Sequence, residues 1–189
     1  KENDIRPKQL LNASREFQNE DIKDILKFKK SFVKTNCPAC DKSNPQLLFK
    51  KNGFIFNKCI NCRTVFISPR QTQKMLIDYY NNAKSIKYWN EILFPKTEQK
   101  RKLIFKKRAK KVIELCKKHK IFLNTLADLG AGFGSFCEIV KQENIFKDVI
   151  AIEPTKYYAD SCKKKGIKTY NESIETINLR NIDVLTNFE

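Results

Sequence analysis

The chain has one histidine, one methionine, one tryptophan and only five glycines in 189 residues. His119, the sole imidazole, lies where a helix C-terminus would favour its cationic form, so it is not read as a catalytic base. No apolar run approaches the roughly 18 residues needed to cross a bilayer, and a soluble protein is expected. No secretory signal is visible, which argues against disulfides and for a cytoplasmic setting. The chain begins at Lys1 rather than methionine, and residues 183–189 read as a strand cut at its end, so a fragment of a longer chain is expected.

Acidic charge is the other scarcity: 21 Asp and Glu face 38 Lys and Arg, a net charge of +17. Such an excess invites a polyanion partner, because lysine and arginine neutralising phosphates dominate nucleic-acid affinity. An overall bias toward lysine, asparagine and isoleucine would raise the charge equally well without one. The 41% of apolar residues suffices for one medium domain plus a small module.

Residues 1–34 show helical spacing in Ile22, Ile25, Leu26 and Phe28 and read as an amphipathic helix. Next come Cys37-Pro38-Ala39-Cys40 and Cys59-Ile60-Asn61-Cys62. Two such knuckles at this separation match a tetrahedral site in which Cys37, Cys40, Cys59 and Cys62 bind Zn2+. Residues 46–50 and 54–58 flank Lys51-Asn52-Gly53 as a hairpin, residues 64–67 supply a third strand, and Ser68-Pro69 ends it. Residues 35–70 are therefore expected to form a zinc ribbon, with two disulfides or redox thiols as the rival readings. Four protein ligands leave no open position, so the metal would be structural.

Residues 71–120 are read as a helical linker. Tyr79, Tyr80, Tyr88 and Trp89 are core packing by helical spacing, or else a lid over a ligand. Residues 97–118 form a long helix with Thr97 as its cap and Phe105, Ala109, Val112 and Cys116 on one stripe. The basic residues of this helix lie mainly on the opposite face, a solvated surface by default and a surface for RNA or an acidic substrate as the alternative.

Three of the five glycines fall in Asp128-Leu129-Gly130-Ala131-Gly132-Phe133-Gly134, between an apolar run and a segment of helical character. This is a strand, a tight turn and a helix. Alternate glycines permit positive φ and let a ligand approach the backbone, while amides at a helix N-terminus favour a ligand carboxylate or phosphate. A dinucleotide fingerprint would place its third glycine at Ser135. A second strand at 148–152 ends in Glu153-Pro154, about twenty residues beyond the glycines, where a βαβ unit places an acid for ribose hydroxyls. A carboxylate there can accept from both hydroxyls and repels a 2′-phosphate; the alternative is an exposed acid capping the helix that begins near Lys156. A helix at 157–165 ending at Gly166 and strands at 167–170 and 183–188 complete an α/β parallel sheet.

Asp128, Gly130, Gly132 and Gly134 together make an acid-x-Gly-x-Gly-x-Gly turn that resembles the first motif of class I S-adenosylmethionine-dependent methyltransferases. The resemblance implies that residues 121–189 are the first half of a seven-stranded Rossmann-like domain. It implies further that Asp128, Gly130, Ala131, Gly132 and Gly134 border the methionine part of the cofactor and that Glu153 holds its ribose. Ser173 and Ile174 would lie at the adenine edge, with Glu172 an alternative there, and Phe188-Glu189 resembles the start of the motif that lines the methyl-transfer site. With the zinc ribbon upstream, the chain is also similar to bacterial methyltransferases acting on nucleotide-linked or polysaccharide sugars. Methyl transfer to a small-molecule or sugar-like acceptor is thus expected. An RNA methyltransferase holding RNA through residues 100–111, and a non-catalytic zinc-ribbon scaffold, are the alternatives. No residue is assigned as the catalytic base.

Overall fold

The computed structural model describes residues 5–188; Glu189 lies outside them. The chain divides into two compact units, residues 6–95 and the residues from 96 onward together with Ile5.

The first unit opens with α1, Lys8–Lys27. Its buried acid Asp21 accepts backbone N–H bonds from Lys84 (3.0 Å) and Ser85 (2.9 Å) at the start of the short helix α3, Lys84–Tyr88. A five-residue helix without a side-chain cap of its own leaves those donors unsatisfied, and Asp21 supplies the missing acceptors. Phe17 packs its ring against Tyr88 at 5.2 Å beside this contact. Between them, α2 (Gln73–Asn82) is capped by Thr72, whose hydroxyl accepts from the Met75 amide. Tyr79 bonds Ser85 through its hydroxyl and Trp89 packs on Phe94, whereas Tyr80 stays exposed.

The same unit holds an antiparallel sheet of β1 (Pro45–Lys51), β2 (Phe54–Cys59) and β3 (Val65–Ile67), in that order. Asn52 and Gly53 both adopt positive φ (50° and 81°), the requirement of a two-residue turn whose twist suits a hairpin.

The second unit is built on α4, Phe94–Lys118, whose Ala109, Ile113 and Cys116 are buried. Thr97 is not its cap. The helix continues directly from a π-turn at Trp89–Leu93, so Thr97 has no free first-turn amides to satisfy; it is buried, and its hydroxyl accepts from Arg101 Nε. The elements β4 (Thr125–Leu129), α5 (Ser135–Gln142), β5 (Asp148–Ile152), α6 (Lys156–Lys164), β6 (Lys168–Tyr170) and β7 (Val184–Asn187) follow. The four strands form one parallel sheet in the order β6-β5-β4-β7.

Alternate residues of β4 and β5 go to opposite faces, both buried, as a parallel sheet demands. Leu126, Val149 and Ala151 join α4, α5 and α6 in one core; Ala127, Ile150 and Ile152 are covered by Ile177, Leu179 and Ile182 of the β6–β7 connection, which contains no helix. Among the described residues, no helix is long and apolar enough to cross a membrane.

Candidate functional site

The chain order reverses at β4: β5 and β6 lie to one side of it, and β7 lies on the other. In an open α/β sheet this switch point leaves a crevice outside the carboxyl ends of the strands, where ligands bind. The glycine turn leaves β4 at that point. Gly130, Gly132 and Gly134 all have positive φ (66°, 56° and 71°), yet they serve different ends. Among the described residues, a Cβ on Gly132 would meet nothing within 4 Å, so the turn is bare on that side. A Cβ on Gly134 would lie 2.8 Å from Cys162 Sγ and 3.0 Å from Ile167 Cδ1, so this glycine lets α6 and the strand after it pack against the turn.

The turn is also pinned from within. Gly130 and Ala131 donate to the Ile152 carbonyl, Gly134 donates to the Ala131 carbonyl, and Gly132 donates to Glu153 Oε2 at 2.9 Å. Those four amides are consumed in shaping the loop, and the amides of the first turn of α5, which begins at Ser135, are not among them. The turn also offers a ligand the bare Cα face at Gly132.

Glu153 is buried at the end of β5, with Oε1 accepting from the Thr155 amide and Oε2 from Gly132. It is therefore not an exposed helix cap. A carboxylate has about four lone-pair sites, so two remain for hydroxyl donors. Asn171 donates to the Glu153 and Pro154 carbonyls, 2.9 Å each, and brings the segment after β6 to this edge. In that segment Ser173 starts a turn, its carbonyl accepting from Thr176 and Ile177, and Ile174 is exposed.

Asp128 is 4% exposed. Burial pushes its carboxyl up from 3.8 to about 6, against the opposing pull of a 2.6 Å bond from the Thr186 hydroxyl, the Cys137 thiol and the positive charge of Arg108. Thr186 stands opposite Asp128 in the parallel β4–β7 register. The sequence reading missed this partner, and a register drawn between 125–129 and 184–187 is the signal that would have found it. Burial also holds the Cys137 thiol well above its ordinary value and the Cys162 thiol at about 12. Cys162 donates to the Gly132 carbonyl, so both thiols act as protonated neighbours of the turn rather than as nucleophiles.

The structure thus brings Asp128, Gly130, Ala131, Gly132, Gly134 and Glu153 together at the ends of two adjacent strands, with Ser173 and Ile174 following the third. The thiols of Cys37, Cys40, Cys59 and Cys62 form a separate cluster in the first unit, all within 4.8 Å of one another. The Cys37–Cys62 and Cys40–Cys59 sulfur pairs are 3.5 and 3.6 Å apart, close to the roughly 3.8 Å edge of a tetrahedron with Zn–S bonds of about 2.3 Å. None of these cysteines is in a disulfide. The two knuckles repeat one geometry: the residue after each, Asp41 or Arg63, is left-handed and donates to the carbonyl of the first cysteine of its pair. The hydroxyl and backbone of Thr64 lower the exposed Cys62 thiol to about 6, whereas at Cys40 the pull of the Lys42 amide is outweighed by burial and by the other three thiols, which raise it to about 11. The four residues fit a tetrahedral metal.

No family profile and no curated protein matches the chain. Among solved structures it is similar to an S-adenosylmethionine-dependent methyltransferase from Clostridium acetobutylicum ATCC 824 at 21% identity and a TM-score of 0.39, over 44% of this chain and 36% of that one. It is also similar to the plantazolicin methyltransferase BpumL in complex with SAH, at 15% identity and a TM-score of 0.46, over 59% of this chain and 44% of that one. The chain spans less than half the length of either.

Proposed function

We propose that the second unit binds S-adenosylmethionine and that the chain takes part in methyl transfer to a small-molecule or sugar-like acceptor. The observation that carries this reading is the pair of buried carboxylates, Asp128 and Glu153, on adjacent parallel strands either side of a turn that is bare at Gly132. Glu153 keeps lone pairs for a ribose diol, and two acids suit a ligand that carries a cationic sulfonium and an ammonium group. Bound there, the cofactor supplies a methyl group for in-line displacement by an acceptor atom. The residues of this chain bind, orient and exclude water, and Ser173 and Ile174 are the proposed neighbours of the adenine. In the first unit, Cys37, Cys40, Cys59 and Cys62 are proposed to hold a structural zinc.

Calorimetry with S-adenosylhomocysteine tests the assignment. Binding in the micromolar range is expected, weakened about tenfold or more in Glu153→Ala, as loss of a charged hydrogen-bond acceptor implies. Unchanged affinity in a folded Glu153→Ala protein would refute it. The exposed lysines of α4, among them Lys106, Lys107, Lys110 and Lys111, favour an RNA acceptor as the second reading, and RNA binding that falls steeply with salt would support that choice.

A further inference from the structure

From Ile25 to Arg70 the chain carries ten basic residues and a single acid, Asp41. A bias toward lysine would raise the basic count but would not remove acids, and at 21 acids in 189 residues about five are due in that stretch. The fold gathers this charge around the hairpin. Lys29 Nζ donates to the Gly53 carbonyl at 2.8 Å, which ties the end of α1 to the turn and brings the exposed Lys30, Lys50 and Lys51 to one end of the ribbon. Phe54 and Phe56, two residues apart on β2, lie on one face of the sheet. Each is stacked by a second ring, Phe54 by Phe32 (6.0 Å, 16°) and Phe56 by Phe49 (4.6 Å, 17°). Phe49 and Lys51 stand opposite Phe56 and Phe54 and so share this face, where Phe49 is still 44% exposed. Ile67, opposite Phe56 on its other side, continues the face into a groove of about 650 Å³ that Pro38, Asp41, Arg70 and Leu76 also line.

We propose that this face of the ribbon binds single-stranded nucleic acid, with Phe49 stacking a base and Lys51 and Arg70 meeting phosphates. Exposed rings edged by cations are the two components of a single-strand platform, since every base has a π-face and every linkage a negative charge. A duplex keeps its base faces stacked inside, so the rings select an unpaired strand. An anionic lipid surface is the competitor for the charge, but two ring pairs stacked nearly parallel present flat faces that suit bases better than acyl chains. The inference stands apart from the methyl-transfer reading and from the lysines of α4, because it uses only residues of the first unit.

Fluorescence anisotropy of the full chain, with zinc added, against a labelled oligouridylate of about twelve nucleotides tests it. Binding should be micromolar or tighter at low salt and weaken as salt rises. Lys51→Gln/Arg70→Gln should make the log–log salt slope shallower by about 1.4, the worth of two phosphate contacts on a single strand. Phe49→Ala should weaken binding about five- to fiftyfold with the slope unchanged, whereas Phe49→Tyr, which keeps a ring, should match the parent within about twofold. Lys51 and Arg70 are exposed, so their variant decides the question even where loss of the Phe49 ring loosens the hairpin. Four outcomes would each overturn the inference: no binding by the parent, equal affinity for an RNA duplex of the same length, binding to phosphatidylglycerol vesicles but not to the oligonucleotide, or binding that ignores the ribbon variants and is lost in Lys106→Gln/Lys107→Gln/Lys110→Gln/Lys111→Gln. None of these outcomes bears on the S-adenosylhomocysteine titration, so the two readings fall separately.

Discussion

The two units of this chain solve the stability problem by opposite means. In the sheet unit, strands buried on both faces and the helices α4, α5 and α6 share a continuous apolar core. In the ribbon, the buried cluster is Cys37, Cys59 and Phe66 with Cys40 against it, and every residue of β1 is exposed. Polar ties take over in this unit: in the ribbon Asn57 bonds the Ser68 carbonyl and Thr35 exchanges bonds with the Ser68 hydroxyl, and beside it Asp21 secures α3 from α1. A three-stranded sheet this small buries little apolar surface of its own, and in the proposed zinc site coordination by the four sulfurs would supply what packing supplies elsewhere.

The largest test of that contrast is to remove the metal. Chelation, or Cys59→Ser, withdraws binding energy on the order of 10 kcal/mol that the ribbon has no core to replace. Amide hydrogen exchange should show protection lost across residues 45–67 and kept across 125–129 and 148–152. Protection retained in the ribbon without metal would break the comparison, and simultaneous loss in both units would show that the second depends on the first.

In the sheet unit the corresponding test adds atoms. Gly134→Ala forces a Cβ against Cys162 Sγ and Ile167, and 3.3 Å from the Cys162 Cα, in a left-handed conformation. Strain and overpacking together should cost about 2–5 kcal/mol. Gly132→Ala carries the strain alone, about 1–2 kcal/mol, because its Cβ would project into open space. Denaturant midpoints with unchanged slopes would measure both. A smaller loss at Gly134 than at Gly132 would contradict the division of labour within the turn.

Much of this was legible in the sequence because short-range rules govern it. The knuckle spacing, the Asn52-Gly53 hairpin, the glycine turn and the alternation of strand with helix are each set by residues within a few positions of one another. Gly166 likewise closes α6 with a positive φ of 68°. What was not legible depends on contacts far apart in the chain. Thr97 carries the residue type of a cap, but the π-turn before it carries the helix through. The amides of the glycine turn look free until Ile152 and Glu153 are brought beside them. Arg108 is one basic residue among many until the rings of Phe188 and Phe105 are brought beside its guanidinium, and Thr186 acquires a role only through the β4–β7 register.

Asp128 marks where the packed unit departs from its own logic, since a buried acid in an apolar core weakens the fold it occupies. Its folded-state value, about 6, is raised above the ordinary 3.8, so the native state binds the proton more tightly than the unfolded chain does. The stabilising contribution is complete below 3.8 and is lost as pH rises through about 6, a swing of about 3 kcal/mol. Asparagine keeps the shape and can still accept from Thr186, but it has no charge to bury. Asp128→Asn should therefore be more stable than the parent at pH 8, by up to about 3 kcal/mol, with the advantage gone near pH 3.5. Urea titrations of both proteins at the two pH values measure the difference directly. The same variant should bind S-adenosylhomocysteine more weakly, because the charge that burdens the core is the one proposed to meet the ligand's ammonium. A variant that gained stability and kept its affinity would separate the buried acid from the binding site.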